Sequence, residues 1–158
     1  MNDVDVRLER LEHRAAIQNL KAAYCFHIDC RDLAAASALF TEDGVWDGGE
    51  LFGRFQGREA IEQFFVEVQR DSLAFVMHNI TNAFVEIDGD TAFGRWHMLM
   101  PCTMRESGDE TAVWGAGYYE DRFARVGDDW LIAEMRLTSY FWSPHAEGWA
   151  SATARTAQ

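Results

Sequence analysis

Basic residues are scarce: 14 Lys and Arg stand against 26 Asp and Glu in 158 residues, a formal net charge of −12. A surface of that sign repels phosphate backbones and anionic headgroups, which argues against nucleic acid and membrane surfaces as partners. No apolar run approaches the length of a bilayer span. The opening MNDVDVRLERLEHR carries charges throughout and lacks the apolar core of a secretory signal, so the expected compartment is the cytoplasm. Cysteine is also sparse. Cys25, Cys30 and Cys102 are odd in number and show neither CxxC zinc spacing nor a disulfide framework, and three buried thiols are expected.

Signature motifs are missing too. No GxGxxG opens a helix after a strand, and there is no Walker-type loop, HExxH or GxSxG elbow, which removes nucleotide, zinc-protease and serine-hydrolase readings. Acidic residues are abundant but scattered, so no metal cluster is expected and a cofactor-independent site is the simplest enzyme.

What is present is a globular pattern. The apolar share is 48% and the charged share 25%, with periodic segments running nearly end to end, which excludes disorder. The length fits one domain over residues 1–158 with a sizeable core. From Val4 to about Cys30, Leu8, Leu11, Ala15, Ile17, Leu20, Tyr24 and Ile28 recur at helical spacing and predict one long helix. Asp32 is an N-cap candidate for a short helix in LAAASALF, and TEDG punctuates the chain like a loop. GVWDGGELFGRFQG suits a short strand and an irregular loop, whereas REAIEQFFVEVQRDS returns to helical spacing and ends near Asp71.

From Leu73 onward the period changes to two, through LAFVMHNIT, NAFVEI, TAFGRWHMLMPCT, ETAVWGAGYYEDRFARV and DWLIAEMRLTSYFW, with the turn-prone connectors DGD, ESGDE and VGDD. Helices followed by strands predict an α+β domain, with the opening helices covering one face of a curved, mainly antiparallel sheet. Such a sheet wrapped round a long helix is a cone, and its open mouth would hold a small hydrophobic molecule.

Two residues far apart in sequence stand out. His78 shares a strand face with Val76 and Ile80, where an imidazole among apolar walls could move protons near working pH; alone it is read first as a satisfied structural histidine, and a catalytic role requires a partner. Asp29 lies at the C-terminal end of the first helix, where the macrodipole disfavours a carboxylate, so a compensating contact is expected. A carboxylate bonded to one imidazole nitrogen would fix the tautomer and stabilise the imidazolium. Tyr24 could donate its phenolic hydrogen bond to a substrate oxygen that gains charge, or be a core tyrosine. Five positions separate it from Asp29, about 140° on a helix, so the two share one cavity only if it wraps the helix end. His27 is read as packing, and His97, His13 and His145 as weaker still. On FGRWHMLM alternation opposes His97 to Trp96 and Met98, and Trp96 and Met98 are placed inward. Trp46, Trp96 and Trp114 fall where an apolar cavity could be lined.

The order of long helix, short helix, ALFTEDGVWDGG, GREAIEQFF, MHNITNAFVEIDGDTAFGRW, GAGYYEDRFARVGDDWLIAEMRL and FWSP resembles the SnoaL-like branch of the nuclear transport factor 2-like superfamily. Within that branch it is most similar to the scytalone dehydratase, bile-acid 7α-dehydratase and hexachlorocyclohexane dehydrochlorinase group. The resemblance implies a cystatin-like α+β barrel. It implies a catalytic dyad at Asp29 and His78, with Tyr24 matching a tyrosine of the bile-acid branch. Cavity-lining positions carry over to Trp46, Trp96, Met98, Trp114, Tyr118 and Leu137. Ser139 stands where the bile-acid branch has an arginine, a departure that speaks against the same anionic substrate. A homotrimer or homodimer is implied as well.

The expected function is therefore a cofactor-independent dehydratase that removes water by His–Asp acid–base chemistry from an alicyclic, steroid-like or polyketide-like substrate. An isomerase or cyclase using the same base, and a non-catalytic small-molecule binding protein or oxygenase-associated subunit, are the alternatives.

Overall fold

The computed structural model describes residues 3–150. Four helices, α1 (Asp3–Asp29), α2 (Leu33–Ala38), α3 (Gly49–Phe52) and α4 (Arg58–Asp71), lie in the first half of the chain with two strands, β1 (Phe40–Asp47) and β2 (Arg54–Gln56). Five strands follow: β3 (Leu73–Val76), β4 (Asn79–Asp88), β5 (Thr91–Glu106), β6 (Asp109–Val126) and β7 (Asp129–Pro144). They form one sheet in the order β2-β1-β7-β6-β5-β3, with β4 also paired to β5. Every pair is antiparallel except β1 with β7. This is the α+β class and mainly antiparallel curved sheet that the pattern predicts.

The hairpins follow from their turns. Asp88 pairs with Thr91, Glu106 with Asp109 and Val126 with Asp129, each pair closing round two residues. Such loops require positive φ, supplied by Gly89 (58°), by Ser107 and Gly108 (54° and 94°) and by Gly127 (66°). The ladder of β6 on β7 slips between Ala116 and Gly117 and again between Arg122 and Phe123, and bulges of this kind bend a sheet. At Gly117 a Cβ would collide with the Thr138 carbonyl oxygen, so the close approach of the two backbones needs glycine.

Alternation sends Trp96, Met98, Met100 and Cys102 of β5 and Tyr119, Asp121 and Phe123 of β6 to the buried face. There they meet Ile17, Tyr24 and Ile28 of α1 and Ile61, Phe64 and Phe65 of α4 in one core.

Five expectations need correction. The apolar stripe of α1 buries only from Ile17 onward: Leu8 and Leu11 are 54% and 63% exposed, and Ala15 is exposed too. A helix of 27 residues is about 40 Å long, and its first turns carry apolar side chains outside the core. TEDG is not a loop but part of β1, whose pairing with β7 is irregular between Phe40 and Val45; that irregularity accommodates residues with poor strand propensity. The stretch GGELF contains one helical turn, α3. LAFVMHNIT is two strands interrupted at Met77 and His78, a break that the site exploits. Of the three thiols Cys25 and Cys102 are buried, but Cys30, at the exposed end of α1, is not.

Candidate active site

The last turn of α1 is closed by a Schellman-type arrangement: Asp32 N donates to His27 O at 2.9 Å, Arg31 N to Ile28 O at 3.2 Å, and Arg31 takes φ 63°. Glycine is the usual occupant of that conformation. Arg31 occupies it here while its guanidinium donates to the carbonyls of Leu73 (3.2 Å) and Ala74 (2.7 Å). The end of α1 is thereby fastened to β3, the strand that leads into His78.

At this junction Asp29 meets His78 twice. Oδ1 lies 2.7 Å from Nδ1 of the imidazole and Oδ2 accepts from the His78 backbone N–H at 2.9 Å. The interruption between β3 and β4 frees that N–H from the ladder, and the two bonds compensate the carboxylate for its unfavourable place at a helix C-terminus. A carboxylate only accepts, so the proton of the neutral ring sits on Nδ1 and the lone pair on Nε2. The His78 side chain is 5% exposed and that of Asp29 21%.

His78 borders an apolar cavity between α1, α4 and the inner face of the sheet, open at its mouth. Its walls include Tyr24, Trp46, Phe64, Tyr119, Leu137 and Trp142. Tyr24 is buried, and its hydroxyl accepts a 3.0 Å hydrogen bond from Trp46 Nε1. That leaves its own O–H as the group able to donate. Burial pushes the phenol far above its ordinary range, against a smaller opposing effect of the indole bond, so Tyr24 is a neutral hydrogen-bond donor. Its ring stands edge-on to His78, centroids 6.2 Å apart.

The angular problem between Tyr24 and Asp29 resolves through His78. Tyr24 faces the cavity; Asp29 is not in its lining but approaches His78 from the helix end. Trp46 and Leu137 line the cavity as expected. Trp96 and Met98 point inward but do not line it: Trp96 packs on Phe123, centroids 5.9 Å apart, and both fill the core below the cavity, where Met100 is the residue of β5 that reaches the lining. Trp114 and Tyr118 are on the outer face of β6, Trp114 beside His145 and Tyr118 beside Tyr140. Their neighbours in the opposite phase, Val113 and Tyr119, are buried. Both phases of WGAGYY are apolar, so alternation alone could not choose, and Gly115 and Gly117 gave no hydropathic signal for the inner one. Ser139 accepts from Trp142 Nε1 at 3.1 Å and so supports an aromatic wall of the cavity.

The other histidines have local partners. His13 Nδ1 accepts from Trp130 Nε1 at 3.1 Å, His97 Nδ1 is 3.1 Å from the Asn82 amide, and His27 lies 3.7 Å from Asp32. Among the described residues no three His, Cys, Asp or Glu side chains converge as a metal site.

One buried pair escaped the sequence reading. Lys21 and Asp121 are both fully buried, with Nζ 2.8 Å from Oδ2 and the ammonium 3.5 Å from the ring centroid of Tyr119, a cavity residue. Burial raises Asp121 to about 6, against the pull of Lys21. The contact is off the direction of a good hydrogen bond, and neither carboxylate oxygen has a well-aligned donor among the described residues. Lys21 sits at helical spacing from Ile17 and Tyr24, and charge on the buried face of α1 was the available signal.

The comparisons with known proteins agree with this architecture. An uncharacterized Mycobacterium tuberculosis protein, Rv2910c, is 32% identical over 133 residues, covering 83% of this chain and 88% of its own. The hexachlorocyclohexane dehydrochlorinase LinA-type3 of Novosphingobium barchaimii superposes with a TM-score of 0.81 at 23% identity, covering 89% of this chain and 94% of the other. A scytalone-dehydratase-like chain of Novosphingobium aromaticivorans gives 0.75 at 19% identity, covering 98% and 99%. Identities this low establish a shared fold. The family model of the SnoaL-like domain matches residues 9–136, most of the helices and all but the end of the sheet, and the chain belongs to the SnoaL-like family.

Proposed function

We propose that this chain is a cofactor-independent lyase that eliminates water from a small hydrophobic ring compound, alicyclic or polyketide-like. The observation that carries this reading is the 2.7 Å contact between Asp29 and the imidazole that borders the cavity. In the proposed step His78 Nε2 takes a proton from a carbon next to the leaving group. The C–H electron pair becomes the new C=C bond, the C–O bond breaks, and the imidazolium returns its proton to the departing hydroxide as water. Asp29 keeps the lone pair on Nε2 and stabilises the imidazolium. Tyr24, whose hydroxyl is oriented by Trp46, donates to a carbonyl oxygen that gains charge as the proton leaves.

An isomerase or cyclase would use the same base and the same donor, and Tyr24 as an enolate partner suits it equally. Product mass separates the readings: loss of water for elimination, an unchanged mass for isomerisation. The test is to find ligands among hydroxylated ring ketones by thermal stabilisation, incubate them with the protein, and analyse products by mass spectrometry for wild type and His78→Ala. Turnover that survives in the variant overturns the assignment, and stabilisation without any product favours a binding protein.

The outer face of the sheet supports homo-oligomeric assembly. Leu99 and Tyr140 are 43% and 37% exposed there, beside Trp114 and Tyr118, and a contiguous apolar face of this kind is suited to a second copy of the chain. Sedimentation of wild type and of Leu99→Glu distinguishes an assembly through this face from a monomer. The free thiols Cys25 and Cys102 suit a reducing compartment such as the cytoplasm.

A further inference from the structure

Within the apolar cavity one polar group has no part in the proposed dyad. Gln69, in the last turn of α4, borders the cavity and is 3% exposed. Its Nε2 donates to the Ile28 carbonyl at 2.8 Å. A carbonyl accepts and cannot donate, so the amide orientation is fixed: the nitrogen faces α1, and Oε1 is the end left over. That oxygen is buried, and no donor among the described residues reaches it. The neighbouring walls, Phe64, Phe65, Val68, Leu73 and Val76, offer no hydrogen. A buried acceptor without a donor is costly, and native proteins rarely tolerate one unless a ligand or ordered water completes it.

We infer that Gln69 Oε1 is a specificity determinant that accepts a hydrogen bond from a hydroxyl or N–H group of the ligand. The inference deepens the proposed function and rests on the cavity's being the ligand site, not on the chemistry assigned to His78. It narrows the ligand class. A ring bearing only carbon, hydrogen and halogen would leave Oε1 unpaired, so such compounds are poor ligands. The ligand therefore carries a hydroxyl or N–H donor for Oε1, in addition to the oxygen that Tyr24 holds.

Phenol and toluene test this, being nearly equal in size and differing in the one donor. Their dissociation constants are measured by NMR titration against wild type, Gln69→Leu and Gln69→Met, with circular dichroism to confirm the fold. Wild type is expected to prefer phenol by about tenfold or more, and both variants to lose most of that preference, toluene binding improving as phenol binding weakens. If Gln69 only tethers α4 to Ile28, the variants change both affinities together and the ratio stays as in wild type, which overturns the inference. So does a wild-type cavity that binds both rings equally or neither. Because no turnover is read, the outcome does not depend on the chemistry assigned to His78.

Discussion

The Asp29 carboxylate grips His78 at both ends, Oδ1 at 2.7 Å from the ring Nδ1 and Oδ2 at 2.9 Å from the backbone N–H. The second bond fixes the backbone from which the ring springs, and the first fixes the ring's tautomer. Asp29→Asn should therefore leave the position of His78 nearly unchanged while removing the charge. An asparagine that turns its NH₂ toward Nδ1 selects the opposite tautomer and takes the lone pair from Nε2. Nitrogen-15 NMR of the imidazole should show Nδ1–H in wild type and a shift toward Nε2–H in the variant. Turnover should fall roughly 10²–10⁴-fold, the range of lost acid–base catalysis, with KM little altered.

Tyr24 and Trp46 form a second, separable unit. Tyr24→Phe removes the donor and should lower turnover, while the protein loses about 1 kcal/mol or more of stability because the Trp46 N–H is left without its acceptor. Trp46→Phe removes the orienting bond but keeps the phenol. Its effect on turnover should be smaller than that of Tyr24→Phe. Thermal unfolding together with kcat for the two variants checks the order; equal losses in turnover would mean that the phenol does not act on the ligand.

Much of this was legible in the sequence because its signals are local or periodic. The change from helical to period-two spacing near Leu73 and the turn-prone connectors DGD, ESGDE and VGDD gave the helix-then-strand order. Strand alternation singled out His78, the position of Asp29 against the macrodipole pointed to a partner, and the family resemblance strengthened the pairing of the two. What escaped depends on distances between segments. The phase of β6 was ambiguous because Trp114 and Tyr118 are as apolar as their inward neighbours. Met100, rather than Met98, lines the cavity because only packing decides how deep the cavity runs. Gln69 and Lys21 were hidden for another reason: each is a polar residue on a helix, ordinarily solvated, whose meaning appears only when the sheet closes over it.

Arg31 offers a test of how the dyad is positioned. Its guanidinium joins the end of α1 to the carbonyls of Leu73 and Ala74, and its backbone holds φ 63°. Arg31→Ala loses the tether and keeps the backbone cost of about 1–2 kcal/mol that a non-glycine residue bears in this conformation. Arg31→Gly loses the tether but relieves that cost. The glycine variant should thus be the more stable of the two by about 1 kcal/mol in denaturant unfolding, while both should show the same loosening of the Asp29–His78 contact by NMR. Equal stability would mean that the helix end rearranges when the arginine is removed.

The pair of Lys21 and Asp121 makes a prediction about pH in which the sign is unusual for a carboxylate near a cation. Burial raises Asp121 from an ordinary 3.8 to about 6, so in the folded protein it binds its proton more tightly than in the unfolded chain. Between about pH 4 and 6 the native state holds the extra proton, and its stability falls as pH rises through that window. Above it the burial penalty is fully present. The difference spans about two pH units at roughly 1.4 kcal/mol each, or up to about 3 kcal/mol. Asp121→Asn removes the titration and holds the side chain neutral, so the variant should match wild type near pH 4 and be spared the loss that wild type suffers above about pH 6. Lys21→Met together with Asp121→Asn removes the buried ammonium as well and provides a background without either charge. Relative to the double variant, wild type should gain stability on going from pH 6 to pH 4, as read by urea unfolding at each pH. If the difference instead stays flat across the window, Asp121 is ionised throughout and the cation, not burial, governs it.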